Sequence, residues 1–275
     1  MNTLYVSDLD GTLLDGNSRI SPVTAEIVNR LISERGIHFT VATSRTPATV
    51  VPLMTDIDCR LPFITMSGAA MWNPLTSRME EVNVISPDVV KAVINIMERH
   101  AARPFIYCNY LDTMIHTHHC GTMSDVERTF VEQRSHLPLK RYFLDEPDYS
   151  HGIDNAMLIF AMSTNGNLKK AYSEISASVD CHAIFYRDAV NPEWELLEVY
   201  RTDCSKASAV KTLANRIGVN HIVAFGDNLN DIDMLSSAQH AVAVENALPQ
   251  VKAIAHEVTL SNTDDGVARW LRHNA

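Results

Sequence analysis

Residues 4–17 read "LYVSDLDGTLLDGN". Leu4 to Ser7 has the short apolar character of a buried strand. Its end delivers two carboxylates, Asp8 and Asp10, followed by a Gly11-Thr12 turn. Two like charges so close repel each other, and both favour water. A strand that ends this way predicts a site at its carboxyl end, where open parallel sheets bind ligands. Taken alone, an Asp-Gly pair is equally the mark of a solvated turn, so the rest of the chain has to decide.

Working outward, strands and helices alternate. Ser21-Pro22 is a helix cap followed by proline at the first helical position. Val23, Ile27, Leu31 and Ile32 then fall at helical spacing, and Gly36 stops the helix. "HFTVATSR" (38–45) is a second buried strand, a short helix near 46–54 follows, and "LPFITMSG" (61–68) is a third strand. After residue 204 the same character returns. "SKASAVKTLANRIG" (205–218) is an amphipathic helix, and "HIVAFGD" (221–227) and "HAVAV" (240–244) are strands. "DDGVARWLRH" (264–273) is a closing helix with acids at its start and bases near its end. The pattern predicts an α/β fold, a doubly wound Rossmann-like parallel sheet.

The middle of the chain differs. Helices over 86–100, 123–134 and 166–178 are interleaved with strands "PFIYCNY" (104–110), "LKRYFL" (139–144), "NAMLIFAMS" (155–163) and "CHAIFYRD" (181–188), and a hairpin-like "LDTMIHTHHC" (111–120). This predicts an inserted α+β cap domain with antiparallel pairing over 85–189, between core segments 1–84 and 190–275. "HTHHC" invites a zinc site, but no further His/Cys pair stands at a usual distance, so an alternating hairpin strand is the better expectation.

Composition narrows the function. The chain has 275 residues, a formal net charge of -10 and 46% hydrophobic residues. The acidic balance argues against nucleic-acid binding, which needs a basic footprint. No apolar run reaches the ~20 residues of a membrane helix, and no secretory signal pattern opens the chain. Five widely spaced cysteines without a CxxC pair read as reduced thiols. A cytoplasmic protein with no membrane partner is expected.

Four predicted strand ends or helix starts carry polar groups: Asp8 and Asp10; Thr43 and Ser44; Lys206; and Asp227, Asn230 and Asp231. If the strands are neighbours, carboxylates and one ammonium converge. Converging carboxylates need a cation, and oxygen ligands suit Mg2+. A hydroxyl, a lysine and turn N–H groups complement phosphoryl oxygens. An aspartate can act as nucleophile and a second carboxylate as proton shuttle. The residues thus point to Mg2+-assisted phosphoryl transfer.

"DLDGTLL" resembles the DxDGT signature of the haloacid dehalogenase superfamily. "VATSR", Lys206 and "GDNLNDIDML" resemble its second, third and fourth motifs, in the right order. "GDNxND", the "SGA" at 67–69 and "TDDGVARWL" resemble its Cof-type sugar-phosphate phosphatases, whose large α/β cap lies between the second and third motifs. The resemblance implies Asp8 as nucleophile and Asp10 as general acid and then base. It implies a Mg2+ site from Asp8, Asp227 and the Asp10 carbonyl. Phosphate contacts would come from Thr43, Lys206, Asn230 and the N–H groups near Leu9 and Ser44, with Asp231 supporting the metal site or Lys206. Ser44 departs from the usual Gly, which is tolerable only without positive φ; Ala207 and Ser67 also depart from the common residues. The expected substrate is a small phosphorylated metabolite, with a sugar phosphate as the leading expectation. A phosphomutase or phosphotransferase using the same aspartyl-phosphate, and a non-catalytic phospho-ligand sensor, remain as alternatives.

Overall fold

A computed structural model describes residues 2–188 and 191–275. The strand Thr3–Ser7 lies in the middle of a parallel sheet, between His221–Gly226 and His38–Val41; His240–Ala243 and Glu257–Val258 extend it on the first side. Ala42 continues the sheet through a parallel bridge to Ile64. There the strand Phe63–Thr65 opens an antiparallel three-stranded unit with Ala70–Asn73 and Arg78–Glu80. Parallel strands covered on both faces carry continuous apolar runs rather than alternation. Leu4, Val6, Val41 and Phe225 accordingly have at most 1% of their surface exposed. Full burial of such a side chain is worth about 1.5–3 kcal/mol.

Register positions the site. Ser7 is level with Phe225 on one side and with Val41 on the other. The residues that follow these three, Asp8, Gly226-Asp227 and Ala42-Thr43, therefore emerge together at one end of the sheet. The helix Lys206–Arg216 is started by Ser205, whose Oγ accepts from the Ser208 N–H at 3.1 Å while Ser208 Oγ accepts from the Ser205 N–H at 3.1 Å. That reciprocal cap fixes the first turn, and Lys206 is its first residue.

The chain divides into two compact units, one of residues up to 80 with 205–275, the other of 81–204. The second unit is built on a six-stranded sheet. Its order is His182–Arg187, Glu195–Tyr200, Ala156–Ser163, Phe105–Tyr110, Met114–Cys120, Lys140–Glu146. All neighbours are antiparallel except the last pair, which is parallel. The helices Pro87–Arg99 and Leu168–Ser178 pack on one face, where Val93, Met97, Ile106, Ile159, Ile175 and Leu197 share a core. The border expected at 189 and 190 lies outside the described residues. Glu195–Tyr200, placed with the core from sequence, pairs instead with Ala156–Ser163.

"HTHHC" lies in the second strand of a hairpin with Phe105–Tyr110. His116 stacks on Tyr110 at 4.0 Å between centroids, and His118 Nδ1 lies 2.8 Å from Glu146 Oε2. These histidines are engaged in ring packing and a carboxylate contact.

Candidate active site

Lys206 is the hinge of the site. Its side chain is buried, and Nζ donates to Asp8 Oδ1 at 2.6 Å and to Asp231 Oδ1 at 2.7 Å. Asp231 Oδ2 accepts the backbone N–H groups of Asp227 and Asn228, both at 3.1 Å. The oxygens of Asp231 are thus engaged within the protein, which makes it a support for the Lys206 ammonium and for the 227–228 turn. Asp8, Asp227 and Asp231 bring one carboxylate oxygen each within 4.8 Å of one another. Three carboxylates against one ammonium leave an excess of negative charge in a mostly buried place.

The titration behaviour follows from that imbalance. Burial raises the Asp8 carboxyl well above the usual carboxylate range, and Asp231 pushes the same way against the pull of Lys206. Burial likewise raises Asp227 to about 6, partly offset by the hydrogen bond from Thr12. Lys206 goes the other way. Burial disfavours its charge, yet Asp231 and Asp8 together outweigh burial and hold it protonated.

Two glycines make the geometry possible. Gly11 has φ +77°, and a Cβ there would lie 2.6 Å from Asp227 Oδ2, so only glycine lets the turn after Asp10 pass the Asp227 carboxylate. Asn246 Nδ2 holds this turn by donating to the Gly11 carbonyl at 2.7 Å. Gly68 has φ +96°, and a Cβ would lie 2.4 Å from the Ser205 carbonyl oxygen. Its bare backbone allows the start of the Lys206 helix to approach.

The remaining residues singled out from sequence are placed as follows. Thr43 is buried, and its Oγ1 accepts from the Arg45 N–H at 3.2 Å, which leaves the hydroxyl hydrogen free to donate. Ser44 is half-buried and is not among the positive-φ residues, so serine stands there without strain. Ser67, by contrast, has φ 52°, a conformation for which asparagine is the easier residue. Leu9 is buried and Asn230 exposed. Asp10 points to a partner that no sequence pattern named. Arg45 donates through Nε to Asp10 Oδ2 and through Nη2 to Asp10 Oδ1, both at 2.6 Å. This two-pronged contact fixes the plane of the carboxylate, and it raises the Arg45 guanidinium further above its ordinary range. Thr12 was missed in the same way; its Oγ1 donates to Asp227 Oδ1 at 2.7 Å.

The sequence pattern of the haloacid dehalogenase-like hydrolases matches residues 5–271. The chain belongs to that family. Its motifs place it with the Cof-type members. A Haemophilus influenzae protein assigned as a phosphatase is 30% identical over 270 residues, covering 95% of this chain and 94% of that one. The 5-amino-6-(5-phospho-D-ribitylamino)uracil phosphatase of Bacillus subtilis is 28% identical over 279 residues, covering 98% and 96%. Among solved structures, a haloacid dehalogenase-like hydrolase from Bacteroides thetaiotaomicron is 23% identical with a TM-score of 0.79, covering 99% of both chains. That likeness shows the fold, a parallel core with a cap domain. As a haloacid dehalogenase-like hydrolase with phosphatase relatives, the chain is an enzyme of the phosphoric monoester hydrolase class. No helix among the described residues is long and apolar enough to cross a membrane.

Proposed function

We propose that this haloacid dehalogenase-like hydrolase is a Mg2+-dependent phosphatase of small phosphorylated metabolites, working through an aspartyl-phosphate on Asp8. The observation that carries it is the Lys206 ammonium held between Asp8 and Asp231 at 2.6 and 2.7 Å, with Asp227 beside them. Asp8 Oδ attacks the phosphorus and the bond to the leaving oxygen breaks. Asp10, once its two-pronged contact with Arg45 opens and it takes up a proton, gives that proton to the leaving oxygen. A water then attacks the phosphoryl group, Asp10 takes the water's proton, and inorganic phosphate leaves with Asp8 restored. Arg45 aims the Asp10 carboxylate, and Lys206 offsets charge on Asp8 and on the phosphoryl oxygens. Thr43, Asn230 and the N–H groups near Leu9 and Ser44 supply donors to those oxygens.

The donor set fits a hard divalent cation. Oxygen ligands are what Mg2+ prefers, and the charge excess at Asp8 and Asp227 is what a cation relieves. Asp8, Asp227 and the Asp10 carbonyl would hold it, while Asp231 is taken up by Lys206 and two N–H groups. A bound Mg2+ supplies electrostatic stabilisation of the phosphoryl oxygens. A phosphomonoester on a sugar or sugar alcohol is the favoured substrate. The phosphoribityl compound named for the Bacillus subtilis relative supports that class, as do the Cof-type motifs.

The test joins turnover and stability. Hydrolysis of 4-nitrophenyl phosphate should require Mg2+ and stop with EDTA. Activity undiminished by EDTA would refute the cation's part. A pH dependence follows from Asp227. Its folded value of about 6 exceeds the unfolded value of about 3.9, so the folded, cation-free protein binds the extra proton and loses stability as pH rises across that window. A cation competes with that proton. The rise in melting temperature caused by Mg2+ should therefore grow from about pH 5 to about pH 7.5; a rise independent of pH would contradict Asp227 as ligand.

A further inference from the structure

The second unit holds a buried cation that no step above uses. Lys140 opens the edge strand Lys140–Glu146, and only 9% of its surface is exposed. Its register partner is Ile115, and two residues on Tyr142 faces Thr117. Thr117 in turn pairs with Tyr107 on the next strand. Tyr107, Thr117 and Tyr142 thus lie side by side, on the face of the sheet turned away from Ile106 and its core. The Lys140 Nζ lies 4.1 Å from the centroid of the Tyr107 ring, 4.7 Å from that of Tyr142 and 5.9 Å from that of Phe130.

No carboxylate among the described residues pairs with this ammonium. The other charge that it feels is a like one, Arg134, whose guanidinium sits 4.0 Å over the Phe130 ring. Burial and Arg134 together press the Lys140 ammonium well below the usual lysine range. Glu198, an acid on the same face, receives the Tyr186 and Tyr200 hydroxyls, each at 2.8 Å. On the same face of the sheet, the buried Tyr142 hydroxyl and Thr117 Oγ1 have no hydrogen-bond partner. Ring faces return less to a cation than desolvating a lysine costs. Each orphaned buried hydroxyl adds to that cost. An uncompensated ammonium and two idle donors, walled by aromatic rings, have one common complement.

We propose that Lys140, Tyr142 and Thr117 form a binding site for the oxyanion of a small molecule, a carboxylate, sulfate or phosphate group. The anion pairs with the ammonium and accepts from the two hydroxyls, while the rings of Tyr107, Tyr142 and Phe130 exclude water. This goes beyond the hydrolytic reaction and does not depend on it, because binding is read without turnover.

Sulfate is the probe. Titrating sulfate against the melting temperature of the full chain should give a saturable rise. Lys140→Met should weaken the apparent sulfate affinity about tenfold, the loss of one charge-assisted contact, while Lys140→Arg keeps most of it. Any sulfate bound near Lys206 is common to all three proteins and cancels in the comparison. Circular dichroism establishes that each variant is folded, and Tyr142→Phe gives a second, milder probe of the same site. Sulfate affinity in Lys140→Met and Tyr142→Phe equal to that of the unaltered chain would overturn the proposal.

Competition then separates the sources of the oxyanion. Phosphate and acetate are titrated in place of sulfate, and the anion whose affinity Lys140→Met weakens most identifies the class that the site takes; an affinity for all three anions unchanged by Lys140→Met would overturn the proposal.

Discussion

Asp8→Asn should lower kcat for any phosphomonoester by at least about 10^4-fold, the scale seen when a covalent nucleophile is removed. The amide is nearly isosteric and still accepts through its oxygen, so the fold and the Lys206 contact survive. What is lost is the anionic oxygen that attacks phosphorus. Burial and Asp231 both work against that anion, and Lys206 works for it. The charged form of Asp8 is therefore sustained by its partners, not by solvent. Steady-state kinetics with Mg2+ and a melting curve check the two halves of the expectation. A folded Asp8→Asn protein with more than a few per cent of the original kcat would remove Asp8 from the chemistry.

Lys206→Met should act on stability as well as turnover. Its ammonium is the shared partner of Asp8 and Asp231, both of which are buried. Removing one partner from a buried ionic network leaves uncompensated charge and costs about 3–5 kcal/mol. The pH dependence has a definite sign. The Asp8 and Asp227 carboxyls, whose folded pKa is raised, bind protons more tightly folded than unfolded, so their burden grows as pH rises. The destabilisation should therefore be largest near neutral pH and shrink as pH falls, when the carboxyls take up protons and no longer repel. Urea unfolding of Lys206→Met and the unaltered chain, without divalent cation and at several pH values, checks this. A loss below about 1 kcal/mol at neutral pH would mean that the network is not compensated by Lys206.

Much of this was legible in the sequence, for a local reason. Strand ends and their motif residues are contiguous in the chain, so "SDLDGT" and "FGDNLND" display both the buried run and the carboxylates that follow it. Parallel register then brings Ser7, Val41 and Phe225 level without further information. What escaped is long-range and carries no period. Thr12 meets Asp227 from 215 residues away, Arg45 meets Asp10, and Gly68 meets Ser205. Each is an ordinary residue type whose meaning lies in its contact. The end of the second unit escaped for the same reason: Glu195–Tyr200 pairs antiparallel with His182–Arg187 on one side and with Ala156–Ser163 on the other, and the latter contact is long-range, with no local pattern to announce it. Lys140 gave no signal at all, since a lysine at a strand start is normally solvated.

The central claim is that Asp8 carries the phosphoryl group. Asp10→Asn, mixed with Mg2+ and a phosphomonoester and quenched in acid within the first turnover, tests it most directly. With the proton shuttle gone, release of the group from Asp8 is slowed, and peptide mass mapping should find one phosphoryl group on the peptide that contains Asp8. Product released in that turnover with no phosphorylated peptide, or a phosphoryl group on any other residue, would contradict it.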